Sequence, residues 1–345
     1  MELRGAALSP RSLSDLSDRS EPSGRARPIW TALPTGAVSQ PQVRQAPGPR
    51  PYRGRFAPSP SGPLHFGSLV TALGSYLDAK ANGGEWWVRI DDLDPPRVVP
   101  GAADDILRTL EIHGFQWDGP VVYQSARNDA YRNAFNELEK IGAIYPCACT
   151  RREIADSVVG KSGQLVYPGT CRTGLPEGRS ARAYRIWVED RDLIIPDRLR
   201  GEFTVSIARE AGDFIILRAD GLFAYQLAAV VDDDEYGMTD VVRGGDLLDS
   251  TARQVYLYDL LDKPVPRYLH LPIAVNELGE KLSKQTLAPS LDKQNPIPTL
   301  MEALRFLGQD LPLQFEEPNP GSLLAMAIAH WKPENIPEEH TRLII

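Results

Sequence analysis

Cysteine is scarce in this chain, positive charge is in deficit and long hydrophobic runs are missing. The three cysteines among 345 residues are an odd number, grouped at positions 147, 149 and 171. They make a poor disulfide framework and a reasonable metal cluster, so a reducing cytoplasm is expected. The formal net charge of −8 argues against a general nucleic-acid coat, because non-specific phosphate binding needs a basic surface. A local basic face remains open, although the arginine-rich tract from Arg172 to Arg218 is interleaved with acids and reads by itself as a solvated mixed-charge surface. Apolar runs such as Leu222 to Val231 contain Tyr and Gln and fall short of the roughly 20 residues that span a bilayer, so no membrane span is expected. No internal repeat is visible. Residues 1–52, rich in Pro, Arg, Ser and Gly, carry no apolar periodicity and no secretory signal. Asp15, Asp18 and Glu21 also weaken a transit-peptide reading, which leaves either a disordered extension or an upstream misassigned start.

What is present is a chain of ordinary soluble composition, 42% hydrophobic and 24% charged, long enough for two or three structural units. A short strand at Gly54 to Ala57 runs into a turn broken by Pro and Gly. Leu69, Ala72, Leu73, Tyr76, Leu77 and Ala79 then recur at helical spacing, and Asn82-Gly83-Gly84 supplies the stop. Trp86 to Ile90 reads as a buried strand ending at Asp91, Asp92 and Asp94. The resulting βαβ unit places ligands at the carboxyl ends of its strands. Helices are expected over Ala102 to His113, Ala126 to Ile141 and Ser250 to Leu261. Strands are expected between Ala183 and Leu217, over Phe223 to Val231 and over Tyr268 to Ile273, with a largely helical last segment of about 55 residues.

Two short signatures carry chemistry. RFAPSPSGPLHFGS, from Arg55 to Ser68, sets one His between a strand and a helix N-terminus, whose free N–H groups suit phosphate oxygens. EKLSKQ, from Glu280 to Gln285, sets two lysines on a loop, where a mobile ammonium can neutralise charge developing at phosphorus. Each has a plain structural reading, a helix cap in one case and an exposed loop in the other; together they describe an ATP site.

These two signatures, with RIDDLDPPR, YQLAAVVDD and VRGGDLL in order between them, resemble a class I aminoacyl-tRNA synthetase of the glutamyl type over about residues 53 to 290. The resemblance implies an α/β fold: a Rossmann-type catalytic domain in two halves, 53–145 and 219–286, around an inserted zinc-bearing subdomain at 146–218, with a short helical region at 287–345. It implies that His65, Gly67, Ser283 and Lys284 bind ATP and that His65 and Lys284 are catalytic, Lys284 stabilising the transition state at phosphorus. Arg55, Phe56, Ala57, Pro58, Ser59, Asp91, Tyr225 and Arg243 would line a pocket for L-glutamate, which presents two carboxylates and one ammonium. Arg243, a forked donor, suits the side-chain carboxylate, and Asp91 the ammonium. Two positions depart from the family pattern. Ser68 stands where a second His is usual, and Asp91 where Glu is usual, one methylene shorter.

The cysteines offer three thiolates, one ligand short of a closed tetrahedral site, and no His lies between Gly114 and Leu269. Three free buried cysteines are the plain alternative. The resemblance implies zinc held by Cys147, Cys149, Tyr167 and Cys171; Glu153 or Asp156 are the substitute ligands. Only about 60 residues follow Lys284, too few for the helical anticodon-binding domain of a standard glutamyl enzyme. The truncated branch of the family is therefore expected, a cytoplasmic monomer that activates glutamate with ATP and Mg²⁺ and passes it to queuosine in the anticodon of tRNA(Asp). Splayed bases of single-stranded loops are usual targets of RNA recognition. Ordinary charging of tRNA(Glu), or a silent RNA-binding paralogue, are the alternatives.

Overall fold

The structure, a computed structural model, describes residues 50–343 apart from 156, 158, 161–164, 283–288 and 311–318. The N-terminal extension up to residue 49 therefore lies outside the described residues. In chain order the elements are β1 (Arg53–Phe56), α1 (Phe66–Ala81), β2 (Glu85–Ile90), α2 (Ala102–Ile112), β3 (Val122–Tyr123), α3 (Asn128–Lys140), β4 (Ile144–Cys147), β5 (Ala183–Ile186), β6 (Asp192–Asp197) and β7 (Gly201–Ser206). They continue with α4 (Ile207–Glu210), β8 (Ile215–Leu217), α5 (Tyr225–Glu235), β9 (Asp240–Gly244), α6 (Leu248–Leu260), β10 (Arg267–Leu271), β11 (Ile273–Val275), α7 (Pro296–Phe306), α8 (Pro320–Ala329) and β12 (Thr341–Leu343).

Strands β1, β2 and β3 pair in parallel in that order, and β9, β10 and β6 form a second parallel set with β7 antiparallel on its edge. The sets abut where Thr239 N donates to Arg53 O at 2.9 Å. Parallel strands need covered faces, and α1 supplies the cover. It packs against β1 and β9 on one side and against α7 and α8 on the other, so nearly its whole middle is buried, from Leu69 to Ala79. The helix ends where Asn82 Nδ2 donates to Asp78 O at 2.7 Å and Gly83 takes φ +65°. A side chain at Gly84 would come within 2.4 Å of Tyr52 O, so the return into β2 requires glycine there.

The stretch 146–218 does not stand apart. Strands β4, β5 and β8 form a small antiparallel sheet, but β6 joins the catalytic sheet beside β10 through the pair Tyr268↔Asp197. Phe223 to Val231 is not a strand: from Tyr225 the chain is helical as α5. A short apolar run buried on several sides lacks a period that separates helix from strand. Here Leu, Gln and two Ala tip the balance toward helix. Near the C-terminus, β12 pairs in parallel with β11, so that region is not wholly helical.

One buried carboxylate ties three layers together. Asp78 of α1, with no exposed surface, accepts from Tyr52 Oη, from Arg198 Nη1 and Nη2 at 2.5 and 2.9 Å, and from Trp331 Nε1 at 3.1 Å. Removing one member of such a set leaves the others unpaired. Asp78→Ala is expected to lower unfolding free energy by about 3 kcal/mol, read as a lower urea midpoint at unchanged slope; a loss under about 1 kcal/mol would contradict this role.

Candidate active site

A cleft of about 830 Å³ opens at the carboxyl ends of β1, β9 and β10 and the N-terminus of α1. It lies where the two parallel sets meet, the place a doubly wound sheet offers to ligands. Arg55 to Ser59 leave β1 along its floor, His65 and Gly67 line it from the start of α1, and Tyr225 enters from α5. Arg243 rises from β9, and Lys281 and Leu282 close one side. Ser283 and Lys284 lie outside the described residues.

His65 is the N-cap of α1: its Nδ1 accepts from Ser68 N at 3.4 Å. In that role Nδ1 carries no proton, so a neutral ring is protonated at Nε2. A Cβ at Gly67 would sit 3.4 Å from the His65 ring and 3.4 Å from Leu282 O, so glycine lets the lysine loop approach this helix end closely. Lys281 Nζ pairs with Asp246 at 2.5 Å, tying that loop to the turn after β9.

Two of the arginines that line the cleft, Arg55 and Arg243, sit in opposite electrostatic settings. Arg55 is buried and already neutralised, its Nε and Nη2 donating to the two oxygens of Asp233 on α5 at 3.1 and 3.3 Å. Arg89 of β2 also binds Asp233, at 2.7 Å, and grips Asp91 through Nε at 2.6 Å and Nη2 at 3.3 Å. Next to Asp233, Asp232 takes Arg127 Nε at 2.6 Å, Gln124 Nε2 at 2.7 Å and the Tyr131 hydroxyl. Burial would raise the Asp233 pKa, yet Arg55 and Arg89 together hold it below the ordinary carboxylate range. Asp91 is placed differently from its neighbours in the expected glutamate set. Arg55 to Ser59, Tyr225 and Arg243 line the cleft, whereas the Asp91 side chain is turned onto Arg89 and does not. Its backbone N–H, donating to Pro58 O at 3.0 Å, stitches the end of β2 to the first turn. Burial pushes the Asp91 carboxyl up to about 6, against the pull of Arg89.

Arg243, 2% exposed, has no carboxylate partner among the described residues. Its Nε donates to His270 Nε2 at 3.2 Å, Nη1 to Gln254 Oε1 at 2.8 Å and Nη2 to Thr251 Oγ1 at 2.7 Å. A buried cation is costly unless it is paired, so this guanidinium keeps its full charge for an anion in the cleft. The sequence reading passed over Asp232, Asp233, Thr251, Gln254 and His270. Only the adjacent acids in YQLAAVVDD offered a signal, since two charged residues ending an apolar run need buried partners.

The three cysteines also converge. Their sulfurs lie within 4.8 Å of one another, Cys149 to Cys171 at 3.6 Å, and the Tyr167 oxygen is 3.4 Å from Cys147 Sγ and 3.3 Å from Cys149 Sγ. Sulfurs about 2.3 Å from a tetrahedral metal stand about 3.8 Å apart, so the donor set and its spacing fit one such ion. Arg185 Nε donates to Cys147 Sγ at 3.3 Å, and the neighbouring hydrogen bonds draw that thiol's pKa below its ordinary value despite burial. Glu153 is engaged elsewhere, by Thr150 and Arg179; Asp156 lies outside the described residues.

Residues 52–308 match the model of tRNA synthetases class I (E and Q), catalytic domain. The chain belongs to this family of class I synthetases. More particularly, it is similar to proteins named glutamyl-Q tRNA(Asp) synthetase: 55% identical over 289 residues to that of Aromatoleum aromaticum, with 84% of this chain and 91% of the relative covered. With that of Dechloromonas aromatica it shares 54% over 296 residues, covering 85% and 98%. Among solved structures, a glutamate tRNA ligase from Elizabethkingia meningosepticum in complex with its amino acid superposes with a TM-score of 0.71 at 26% identity, covering 86% of this chain and 67% of that one. The chain is thus an aminoacyl-tRNA synthetase of the ligase class, and the family implies the use of ATP. No helix among the described residues is long and apolar enough to cross a membrane.

One pH dependence follows from His270, buried behind Arg243. Burial lowers the His270 pKa to about 4, with the nearby Arg243 charge acting in the same direction and Asp197 opposing it. On acidification the unfolded chain takes up this proton near pH 6.5 and the folded chain only near 4. Stability present in full above about pH 6.5 is therefore lost progressively down to about pH 4. Urea midpoints between pH 7 and 4.5 should show that decline, and His270→Gln should flatten it; an equal slope in the variant would refute the assignment.

Proposed function

We propose that the chain activates L-glutamate with ATP to glutamyl-AMP and transfers the glutamyl group to queuosine in the anticodon of tRNA(Asp). The observation that carries this reading is a buried Arg243 with only neutral partners, on a cleft that also receives a helix N-terminus. The names borne by relatives matched over most of their length support the same choice.

Glutamate arrives with its α-carboxylate ionised at pH 7, so activation needs no general base. A carboxylate oxygen attacks the α-phosphorus of ATP, taken as its Mg²⁺ complex; the bond to the bridging oxygen breaks and pyrophosphate leaves. The protein's part is positioning and charge stabilisation. The first turn of α1 offers N–H groups to the phosphates, with His65 at its cap and Gly67 allowing close approach. Lys284, with Ser283, stabilises charge at phosphorus in this scheme. Arg243 takes the side-chain carboxylate, and Tyr225 with the Arg55 to Ser59 segment flanks the rest of the amino acid. Asp91 acts through Arg89 and the turn at Pro58. A hydroxyl of queuosine then attacks the mixed anhydride and AMP leaves. We assign 146–218 as a metal-bearing insertion with one structural zinc on Cys147, Cys149, Tyr167 and Cys171, in a cytoplasmic monomer.

Incubation with ATP, labelled glutamate and tRNA(Asp) with or without queuosine, beside tRNA(Glu), tests the reading. Label should reach only queuosine-bearing tRNA(Asp); label on tRNA(Glu) alone would overturn it. Lys284→Ala should slow adenylate formation well over tenfold, as expected from about 3 kcal/mol for one transition-state donor, and wild-type ATP–pyrophosphate exchange would refute the role. Purified protein should contain close to one zinc per chain by metal analysis. Cys149→Ser should lose most of it, and undiminished zinc in that variant would remove the site.

A further inference from the structure

The amino-acid side of the cleft is built on a chain of three residues, each from a different strand. Asp197, at the end of β6 and 5% exposed, is saturated: one carboxylate oxygen accepts from Leu199 N at 3.0 Å and Arg200 N at 2.9 Å, the other from His270 N at 3.1 Å and His270 Nδ1 at 2.6 Å. With Nδ1 facing a carboxylate, its proton resides there and Nε2 offers a lone pair. That lone pair faces Arg243 Nε at 3.2 Å and lies 2.9 Å from Thr251 Oγ1. His270 itself has no exposed surface and does not line the cleft. The groups facing its ring are Asp197 from β6, Arg243 from β9, Thr251 from α6, Tyr268 stacked at 5.7 Å on its own strand, and Arg200, whose charge is felt from the turn after β6.

We infer that His270, fixed by Asp197, is a positioning residue that aims Arg243 at the side-chain carboxylate of the amino acid and thereby selects an acid over its amide. The inference rests on the glutamate reading above. A guanidinium has five N–H groups. The bonds to His270, Gln254 and Thr251 take one from each nitrogen, with Leu247 O at a marginal 3.5 Å, leaving one on each terminal nitrogen for the ligand. Two parallel donors match the two oxygens of a carboxylate. An amide returns one acceptor and one N–H₂, which opposes a donor and leaves a buried group unpaired. The pairing works only if the fork cannot rotate about its own axis, and the bond from Nε to His270 opposes that rotation together with those from Nη1 to Gln254 and Nη2 to Thr251.

The test compares His270→Gln with His270→Asn. The Gln oxygen can replace the Nε2 acceptor, whereas Asn keeps the bond to Asp197 and drops the one to Arg243. Glutamate-dependent ATP–pyrophosphate exchange is measured with tRNA(Asp) present, together with competition by L-glutamine and urea midpoints. His270→Asn should raise KM for glutamate at least tenfold, with kcat and KM for ATP within about threefold, and should weaken discrimination against glutamine; His270→Gln should restore most of both. Thr251→Val, of nearly equal shape, removes the acceptor for Nη2 and should raise the same KM in a chain that still folds. Equal behaviour of the Asn and Gln variants, or parallel losses in kcat, both KM values and stability, would overturn the proposal. A wild-type chain showing no glutamate-dependent exchange would instead overturn the glutamate reading, so the two failures are distinct.

Discussion

Two adjacent carboxylates on α5 decide where the halves of this molecule meet. Asp232 and Asp233 are buried, and isolated ions there would be prohibitively costly. They are tolerable because arginines arrive from three separate places: Arg55 from β1, Arg89 from β2 and Arg127 from the entry to α3. Arg89 bridges Asp91 and Asp233, so β1, β2 and α5 are locked into one register by charge. The cleft lies beside this knot, at the carboxyl ends of β1 and β9, and Arg55 belongs to both.

The knot also separates two kinds of arginine. One whose charge is cancelled inside the protein can shape a pocket and offer leftover N–H groups, but adds little field to it. One surrounded by His, Gln, Thr and carbonyl oxygen keeps its charge and makes the pocket positive where it stands. The presence of both within a single cleft gives the cavity an electrical direction, which an asymmetric amino acid can follow.

Much of this was legible in the chain. The βαβ start, the helix stop at Asn82 to Gly84 and the His65 cap of α1 depend on local chemistry, which sequence displays directly. The Arg55 segment, Tyr225 and Arg243 were expected together only through the family resemblance of their motifs, and the fold brings them to one cleft. α5 could not, because a helix buried on several sides has no polar face to betray its period. The orientation of Asp91 was hidden for another reason: its partner Arg89 lies two residues away on the same strand, and only the fold shows that this near neighbour captures the carboxylate. His270 belongs to no motif, and its importance comes from three strands meeting around one imidazole. The grouping of Cys147, Cys149 and Cys171 was visible in the chain, while Tyr167 was expected beside them only through the family resemblance, since a tyrosine 20 residues from Cys147 gives no spacing signal of its own.

The path of β6 bears on how far this protein could be remodelled. A segment that reads as an insertion invites treatment as a cassette, to be shortened or exchanged between relatives. Here the same segment that carries the cysteine cluster on one side delivers Asp197 to the catalytic sheet on the other. Any trimmed or grafted version that discards 192–200 would take the footing of His270 with it, and so cannot be modular with respect to amino-acid choice.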